Sequence, residues 1–391
     1  MSSSIEIRHA RVVTPDRVID DGHVVISGER IARVGPTPNR AVSDGKTIDA
    51  EGRILMPGLV DLHGDDIEHH RSPRSGAQTD MRTAVTTADR TNVLAGVTTK
   101  YHAVAFEDAP DEGRTLDDAI AIAAELADES YTLGDNRLHA RCELTSESVR
   151  AVEGIAGEID LLSMMHHAPD EGQYDRGEFE QHYIEDRSWP DHAVDEIAAQ
   201  RESLDAATRT ERVARLCEIG RRAGVPLASH DDDSAAAVEE MAHCGVDISE
   251  YPVVLEAAVR ATELGLTTVM GAPNLIRGGS LWDNLSARAA IDRGVVDVLC
   301  ADYHPPSLLL APFVDTGESL STRVNRVTRN PADAVGLADR GRIAVDARAD
   351  LIVVDQSPVP TVERVLVGGT DVMRSGESRD DAVQKLPPAG S

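Results

Sequence analysis

The chain has 391 residues, of which 41% are hydrophobic and 27% are charged. This length and composition are typical of a globular protein with one large and one smaller domain, and they argue against a disordered chain. Lys and Arg number 39 against 68 Asp and Glu, which gives a formal net charge of −29 without a compensating basic stripe, so nucleic-acid binding is not expected.

Secretion and membrane insertion are not expected either. No apolar run approaches the roughly 20 residues of a membrane-spanning helix, and Met1–Ala10 lacks the apolar core of a signal peptide. The cysteines form no CxxC pair, which indicates a reducing compartment and argues against a disulfide framework or a thiolate zinc site. They are Cys142, Cys217, Cys244 and Cys300. We therefore expect a cytoplasmic protein that binds no membrane.

The acidic excess is spread along the chain, and aromatic residues make up only 3% of it. Because salt screens charges within about 3 Å at 1 M, such a surface is tolerable in a salt-rich cytoplasm, and we interpret the chain as halophilic. The alternative is an ordinary acidic surface that keeps the protein in solution. A halophilic chain should unfold when salt is removed, which circular dichroism would detect. An unchanged spectrum at low ionic strength would contradict this interpretation.

The strand pattern changes twice along the chain. Short strands separated by Gly and Asp fill the first fifty residues, namely Ile5–Val13, Gly22–Ser27, Ile31–Val34 and Thr47–Asp49. Apolar runs then alternate with amphipathic helical segments such as Asp117–Asp128, Glu211–Ala223 and Ala235–His243. The runs are Leu59–Leu62, Gly96–Thr99, Arg137–Cys142, Leu161–Met165, Val225–Ala228, Val246–Ile248, Thr267–Met270 and Val296–Cys300. After about Asp339, strands return as Asp350–Val354, Val362–Val367 and Thr370–Arg374.

Eight strands with helices between them predict an α/β fold, a parallel (β/α)8 TIM-like barrel. We expect the barrel to occupy residues 57–335. The two chain ends, residues 1–56 and 336–380, are expected to form one small composite β-sandwich domain into which the barrel is inserted. Residues 381–391 are rich in Pro, Gly and Ser and are expected to form a flexible tail.

Ligand-type residues follow five of the predicted barrel strands. They are His63 and Asp65, then Glu143, then His166 and His167, then His230 with Asp231–Asp233, and finally Asp302. A single His at a strand end is usually structural, but packing gives no reason for charge at five ends. Imidazole and carboxylate ligands suit Zn²⁺, Mn²⁺ or Fe²⁺. Glu143 could bridge two ions about 4 Å apart, and Asp302 could accept a proton from an activated water.

Several acidic residues near these strand ends have a structural role as an alternative to metal binding. Asp231–Asp233 could include solvated residues or a helix cap. Glu250 and Glu256 flank another strand end, where they could support metal ligands or stabilise a helix N-terminus.

Longer motifs resemble the amidohydrolase superfamily. Gly52–His63 is similar to its first barrel strand, and Gly341-Arg342-Ile343 followed by Ala349–Val353 is similar to its closing β-segment, with Asn330-Pro331-Ala332 between them in order. Most members carry His-x-His where this chain has His63-Gly64-Asp65. That departure and five further motifs resemble the α-D-ribose 1-methylphosphonate 5-triphosphate diphosphatases of the carbon–phosphorus lyase pathway. The five are Arg141–Leu144, Ala228–Asp232, Met270–Asn274, Arg277–Ser280 and Ala301–Tyr303.

The resemblance implies a metal-dependent hydrolase of phosphonate catabolism that releases pyrophosphate from the ribosyl triphosphate. It implies one or two divalent ions, zinc or alternatively manganese or iron, with Asp302 as the catalytic acid/base. The implied metal ligands are His63, Asp65, Glu143, His167 and His230. His167 is preferred to His166 because it stands two residues before Pro169, as in the family motif. His102 follows the predicted second strand and receives no role.

A triphosphate substrate requires local positive charge in so acidic a chain. The segment from Asn274 through Arg277, Gly278, Gly279 and Ser280 is the best candidate, since Gly backbone can approach an anion, Arg offers a fork and Ser280 can begin a helix. Lys100, one of three lysines, is a further candidate substrate contact. The alternatives are a flexible Gly278-Gly279 turn and a surface salt bridge of Lys100.

Two other functions stay open. The first is an amidohydrolase acting on a cyclic amide or an N-acyl substrate. The second is a non-catalytic binding protein, but such a protein would not need a proton acceptor such as Asp302 in addition to five metal ligands. The expected partner is a small phosphorylated molecule, and we expect a homo-oligomer that binds neither nucleic acid nor membrane.

Overall fold

The structure is a computed structural model. It describes residues 4–41, 45–74, 77–107, 115–169, 176–181, 191–280 and 284–375. The strands before and in the barrel are β1 Ser4–Val13, β2 Val18–Ser27, β3 Arg30–Pro36, β4 Lys46–Asp49, β5 Ile54–Pro57, β6 Leu59–Gly64, β7 Val97–Phe106, β8 Asp135–Glu143, β9 Leu161–Met165, β10 Leu227–His230, β11 Ile248–Glu250, β12 Thr267–Gly271 and β13 Val298–Cys300. The last three are β14 Leu351–Asp355, β15 Thr361–Val367 and β16 Thr370–Arg374.

Helices separate most of the barrel strands. They are α1 Asp66–Arg71, α2 Met81–Leu94, α3 Leu116–Leu126, α4 Ser146–Gly154, α5 Arg176–Gln181, α6 Asp191–Glu202, α7 Ala206–Ala223, α8 Ala235–His243, α9 Leu255–Leu264, α10 Ala272–Arg277, α11 Ala287–Arg293, α12 Pro305–Leu310, α13 Leu320–Asn325 and α14 Arg329–Ala334. Several begin at the polar cap residue that their sequence offers, such as Asp80, Thr115 and Ser234, whose side chains accept a hydrogen bond from the first turn.

The predicted barrel is confirmed. Strands β6 to β13 pair in parallel and in chain order, and a parallel bridge between Gly64 and Asp302 links the last strand segment to the first. Each of the eight predicted runs overlaps one strand. The second strand, β7, is longer than the sequence indicated, so Lys100 and His102 lie inside it rather than after it. The polar residues of β7 are buried inside the strand. The sequence pattern alone does not distinguish such residues from polar residues that follow a strand.

The chain ends form a separate mixed sheet, in which β4 pairs with β1 and the remaining strands follow the order β16-β15-β14-β5-β1-β2-β3. Strand β5 was not predicted as a separate strand. It pairs antiparallel with β14 and parallel with β1, so it joins the two ends of the chain. The domain boundaries at 56/57 and 335/336 stay predictions. Residues 376–391, which include the expected tail, lie outside the described residues.

Alternation along the strands builds the core between barrel and helices. On β8, Leu138, Ala140 and Cys142 belong to a buried cluster that also contains helix residues such as Ile122 and Val152. The intervening residues of the strand therefore point into the barrel. Among the described residues, no helix combines the length and the hydropathy needed to cross a bilayer.

Candidate active site

Strained backbone marks the ends of the barrel strands. Asp231, Tyr251 and Asp302 have φ angles of 58°, 53° and 56° and directly follow or closely succeed β10, β11 and β13. Non-glycine residues in this left-handed region cost free energy, and they concentrate at functional sites. The three strand ends thus present polar side chains from an unusual backbone conformation at one end of the barrel.

The carboxylate of Glu250 lies between two of the predicted metal ligands. Glu250 is fully buried, and its Oε2 lies 3.3 Å from His63 Nδ1 and 3.5 Å from His230 Nδ1. The His63 and His230 rings stack with centroids 5.3 Å apart. Burial raises the pKa of Glu250 well above its ordinary value, an effect that the Arg141 charge opposes. Sequence reasoning had left Glu250 between a supporting and a helix-terminal role, and the structure places it inside the cluster.

A second carboxylate links His167 to His230. Asp231 Oδ2 lies 3.8 Å from His167 Nε2 and 3.6 Å from His230 Nε2. The opposite ring nitrogen of His167, Nδ1, lies 3.0 Å from Glu143 Oε2. Burial alone would raise the pKa of Glu143, but hydrogen bonds from His166 and His167 hold it below its usual range. Glu143 therefore orients His167 in the way that carboxylates orient metal-binding imidazoles.

The unpaired atoms of this cluster fit a divalent cation. Nδ1 of His63, Nδ1 of His230, Oδ2 of Asp231 and both carboxylate oxygens of Glu250 are buried without a hydrogen-bond partner, as is Oδ1 of Asp65. Burial lowers the pKa of His63 and of His230 well below the ordinary value, with the Arg141 charge adding to the effect, so both rings offer lone pairs. Neutral imidazoles and carboxylates are the ligands of zinc, manganese and iron sites.

Three groups of ligand atoms each lie within 4.8 Å of one another. They are His63 with His139 and Glu250, His167 with His230 and Asp231, and Glu107 with Glu143 and His167. His139 is the weakest member because its Nδ1 lies 2.9 Å from Leu62 O and its Nε2 2.8 Å from Ser163 Oγ. Burial lowers the pKa of His139 to about 3, so the ring is neutral. Because both of its nitrogens are already hydrogen-bonded, neither is free to bind a metal.

Asp302 lies at the seam that closes the barrel. Its N–H donates to His63 O at 2.9 Å, and the Asp65 N–H donates to Asp302 O at 3.4 Å. A Cβ at Gly271 would lie 3.1 Å from Asp302 Oδ2, so the missing side chain leaves room for this carboxyl group. Burial, with the Asp65 charge adding, raises the pKa of Asp302 to about 7. A carboxyl group with this pKa can accept a proton near neutral pH.

Lys100 is buried and paired with acidic residues. Its Nζ lies 2.6 Å from Asp61 Oδ2 and 3.5 Å from Asp66 Oδ1. Burial would lower the pKa of Lys100, but the two carboxylates raise it above its usual range. A Cβ at Gly64 would overlap Lys100 Nζ, which explains why glycine separates His63 from Asp65. The predicted substrate contact of Lys100 stays a prediction.

The predicted phosphate segment lies at the rim beside Asp302. The Arg277 guanidinium is exposed, and it donates to Gly279 O and, at 2.9 Å, to the Tyr303 hydroxyl. Gly278 has a φ of 88° and ends α10, and the N–H groups of Gly278 and Gly279 both donate to Asn274 O. The backbone amides of this turn are therefore occupied within the segment, whereas the Arg277 side chain stays accessible.

The remaining residues of the segment have structural partners. The Asn274 side chain accepts from Ala287 N at 2.9 Å and donates to Leu285 O at 3.1 Å, which holds the start of α11. Ser280 is half-buried, and the three residues after it lie outside the described part of the chain; α11 begins at Ala287 and is capped by the Ser286 hydroxyl. Their substrate contacts stay predictions.

The residues that sequence reasoning left without a role are also placed. His102 Nε2 lies 2.7 Å from Asn136 Oδ1, and His166 Nδ1 lies 3.3 Å from Glu143 Oε1. Asp232 accepts hydrogen bonds from Ser229 and Ser249, at 2.7 Å and 2.5 Å, and Asp233 is exposed. Of the three consecutive aspartates, only Asp231 faces the histidines.

Replacing Glu250 by glutamine is expected to weaken metal binding about 10- to 100-fold, because an amide accepts less strongly between His63 and His230. Equilibrium dialysis followed by elemental analysis measures this. Glu256→Gln is the matched control, since Glu256 is exposed on α9 and should leave metal affinity unchanged. Wild-type metal affinity in Glu250→Gln would show that this carboxylate only fills space.

Strand periodicity was the signal for the residues that sequence reasoning missed. His139, Arg141 and Glu143 alternate along β8 with residues of the outer core. Counting every second residue back from the predicted ligand Glu143 would have indicated that Arg141 and His139 share its face.

Comparisons with known proteins add three findings. The chain is 32% identical, over 361 residues that cover 88% of it and 94% of the relative, to α-D-ribose 1-methylphosphonate 5-triphosphate diphosphatase of Escherichia coli (strain K12). It is 24% identical to an imidazolonepropionase of Paracoccus denitrificans, over 89% of this chain and 93% of that one. A crystal structure described as an amidohydrolase matches with a TM-score of 0.63 at 15% identity, covering 96% of this chain and 100% of the other. No family model matches the chain.

Proposed function

This chain belongs to the α-D-ribose 1-methylphosphonate 5-triphosphate diphosphatase family of the amidohydrolase superfamily, and from this we propose that it hydrolyses that triphosphate in phosphonate catabolism. One water is consumed, the bond between the α-phosphorus and its bridging oxygen breaks, and the products are the ribosyl 5-phosphate and pyrophosphate. The observation that carries the proposal is the cluster of unpaired ligand atoms beside Asp302, in a chain 32% identical to such a diphosphatase.

The residues of the cluster have distinct roles in this proposal. His63, His230, Asp231 and Glu250 would hold a divalent metal, with His167 oriented by Glu143. The ligand roles of Asp65, Glu143 and His167 stay predictions. One or two ions are consistent with these groups, and we propose zinc, with manganese or iron as alternatives. When bound, such an ion supplies Lewis-acid activation of water and of phosphoryl oxygens.

Asp302 is the proton acceptor in the proposed reaction. Its carboxyl group, with a pKa of about 7, takes the proton of the attacking water and can return it to the leaving group. The left-handed backbone at Asp302 and the space at Gly271 hold the carboxyl group at the seam, next to the first-strand residues. At the rim, Arg277 offers its exposed guanidinium to the distal phosphates.

Phosphorus NMR at molar salt tests the proposal. Metal-loaded protein is given the ribosyl methylphosphonate 5-triphosphate, ATP and an N-acyl substrate in separate reactions. Pyrophosphate released from the ribosyl triphosphate, and suppressed by a chelator, is the expected result. The similarity to imidazolonepropionase keeps a cyclic-amide substrate as the second candidate. Turnover of an amide without any phosphorus product would replace the first proposal by this one.

Replacing Arg277 by alanine is expected to lower kcat/KM for a triphosphate substrate about three- to tenfold and to leave kcat/KM for a monophosphate almost unchanged. The effect is modest because an exposed ion pair in water is worth at most about 1 kcal/mol. The ratio of kcat/KM for the two substrates measures it. Arg293→Ala, which removes an exposed arginine from the end of α11, is the control for net charge. Equal losses for both substrates would show that Arg277 does not contact the distal phosphates.

A further inference from the structure

An arginine that has so far received no role lies inside the barrel. Arg141 stands on β8 between His139 and Glu143, on the strand face opposite to the residues that pack against the helices. It is 8% exposed, and its Nη1 lies 3.3 Å from His63 Nε2. The guanidinium thus contacts one of the predicted metal ligands, His63.

Arg141 differs from the other buried arginines of the described chain. Six arginines are buried there, and five of them have a carboxylate oxygen within 4.0 Å. Those five are Arg8, Arg201, Arg326, Arg340 and Arg364. Arg141 has no such partner among the described residues, and its Nε is buried without an acceptor. The chain has 68 acidic residues, so a shortage of carboxylates does not explain why Arg141 lacks a carboxylate partner.

A buried guanidinium without a counter-ion costs free energy unless something else satisfies it. Arg141 has five N–H donors, and its contact with His63 Nε2 involves only one of them, so the others are available to a ligand. The planar fork of these donors matches the oxygens of a phosphoryl group better than it matches any neutral ligand. Arg141 and Asp302 both contact His63, the first at the ring nitrogen Nε2 and the second through its N–H to His63 O.

We propose that Arg141 is a substrate-binding residue whose guanidinium donates hydrogen bonds to phosphoryl oxygens of the triphosphate, deep in the site beside His63. The inference rests on the proposed function for its choice of anion. It assigns the two ends of the polyphosphate to two arginines, with Arg141 buried at the reacting group and Arg277 exposed at the rim. A neutral amide substrate would leave the Arg141 donors unsatisfied, so the residue also contributes to specificity.

The test measures anion binding separately from catalysis. Inorganic tripolyphosphate is titrated into metal-loaded wild-type protein and into R141M and R141K by calorimetry at constant salt, with metal content determined before and after each titration to exclude chelation. R150M is the matched control, because Arg150 lies on α4 with a side chain that is 72% exposed and carries the same charge.

R141M is expected to bind tripolyphosphate at least tenfold more weakly with unchanged metal content, R141K to recover part of the affinity, and R150M to match wild type. Should R141M not fold, R141K alone decides, since it keeps the charge but loses the fork and is expected to bind several-fold more weakly. Wild-type affinity in the Arg141 variants, absence of tripolyphosphate binding by wild type, or loss of metal together with loss of binding would each overturn the proposal.

The two proposals fail in different ways. If wild type binds tripolyphosphate through Arg141 but releases no pyrophosphate from the ribosyl triphosphate, the proposed function is wrong and the anion site stands. If wild type hydrolyses the ribosyl triphosphate and R141M keeps the same kcat/KM, the proposed function stands and the assignment of Arg141 is wrong.

Discussion

Replacing Asp302 by asparagine is expected to lower kcat by about 10²- to 10⁴-fold or more while leaving metal content unchanged. The amide has nearly the same shape as the carboxyl group, so it fits beside Gly271, but it cannot accept a proton near neutral pH. The backbone hydrogen bond from Asp302 N–H to His63 O does not depend on the side chain, so the barrel seam should persist. Pyrophosphate release and elemental analysis on the same sample measure both quantities.

Asp292→Asn is the matched control for this variant. Asp292 lies at the end of α11 with a side chain that is 54% exposed, and it pairs with Arg288 on the same helix, so its loss should change neither rate nor metal. Loss of metal from Asp302→Asn would make Asp302 a ligand rather than a proton acceptor. Near-normal turnover with full metal content would move the proton acceptor to another group, for which Asp231 is the next candidate because burial raises its pKa to about 7 as well.

Replacing Lys100 by methionine is expected to destabilise the protein by about 3–5 kcal/mol, the cost of removing one partner from a buried ion pair. Asp61 would be left as a buried carboxylate that still accepts from Ala301 N at 2.9 Å and from His63 N at 3.3 Å. The bond from Ala301 ties the first barrel strand to the residue that follows the last one, so the destabilisation is expected to affect the site as well. Urea unfolding at a fixed molar salt concentration gives the free energy of unfolding.

Lys46 provides the matched control for Lys100. It pairs with Asp371 at 2.9 Å, but its side chain is 53% exposed, so Lys46→Met should cost about 1 kcal/mol or less. Adding Asp61→Asn to the Lys100 variant removes the uncompensated charge and should recover part of the lost stability. Equal destabilisation by the two lysine variants would show that burial of the Lys100–Asp61 pair has no special energetic role.

The barrel and its site edge could be predicted because they depend on local patterns. Each of the eight strands is an apolar run, and a parallel barrel places all of its strand ends on one edge. Residues at those ends, such as His63, His230 and Asp302, therefore had to come near one another. The length of β7 could not be predicted in the same way, because Lys100 and His102 are polar residues buried inside a strand and look like the residues of a strand end.

Partner choice within the site could not be predicted, because it depends on distances across the barrel. Glu250 and Lys100 show this in opposite directions. For Glu250 the sequence leaves a metal-supporting and a helix-terminal role open, and the structure places it between His63 and His230. For Lys100 the sequence leaves a substrate contact and a surface salt bridge open, and the structure holds it in a buried pair with Asp61 and Asp66. Both outcomes depend on which residue faces which across the interior.

The sequence by itself determined the fold class, the order of the strands, the end of the barrel that carries the polar residues and, through its motifs, the family. These follow from the alternation of apolar and polar residues and from the position of each residue along its strand, which are properties of the chain alone. Only the tertiary structure decided that β5 unites the chain ends, that Glu143 orients His167, and that Arg141 is buried without a carboxylate. The reason is physical: burial and pairing are set by neighbours distant in sequence, and these become neighbours only when the barrel closes.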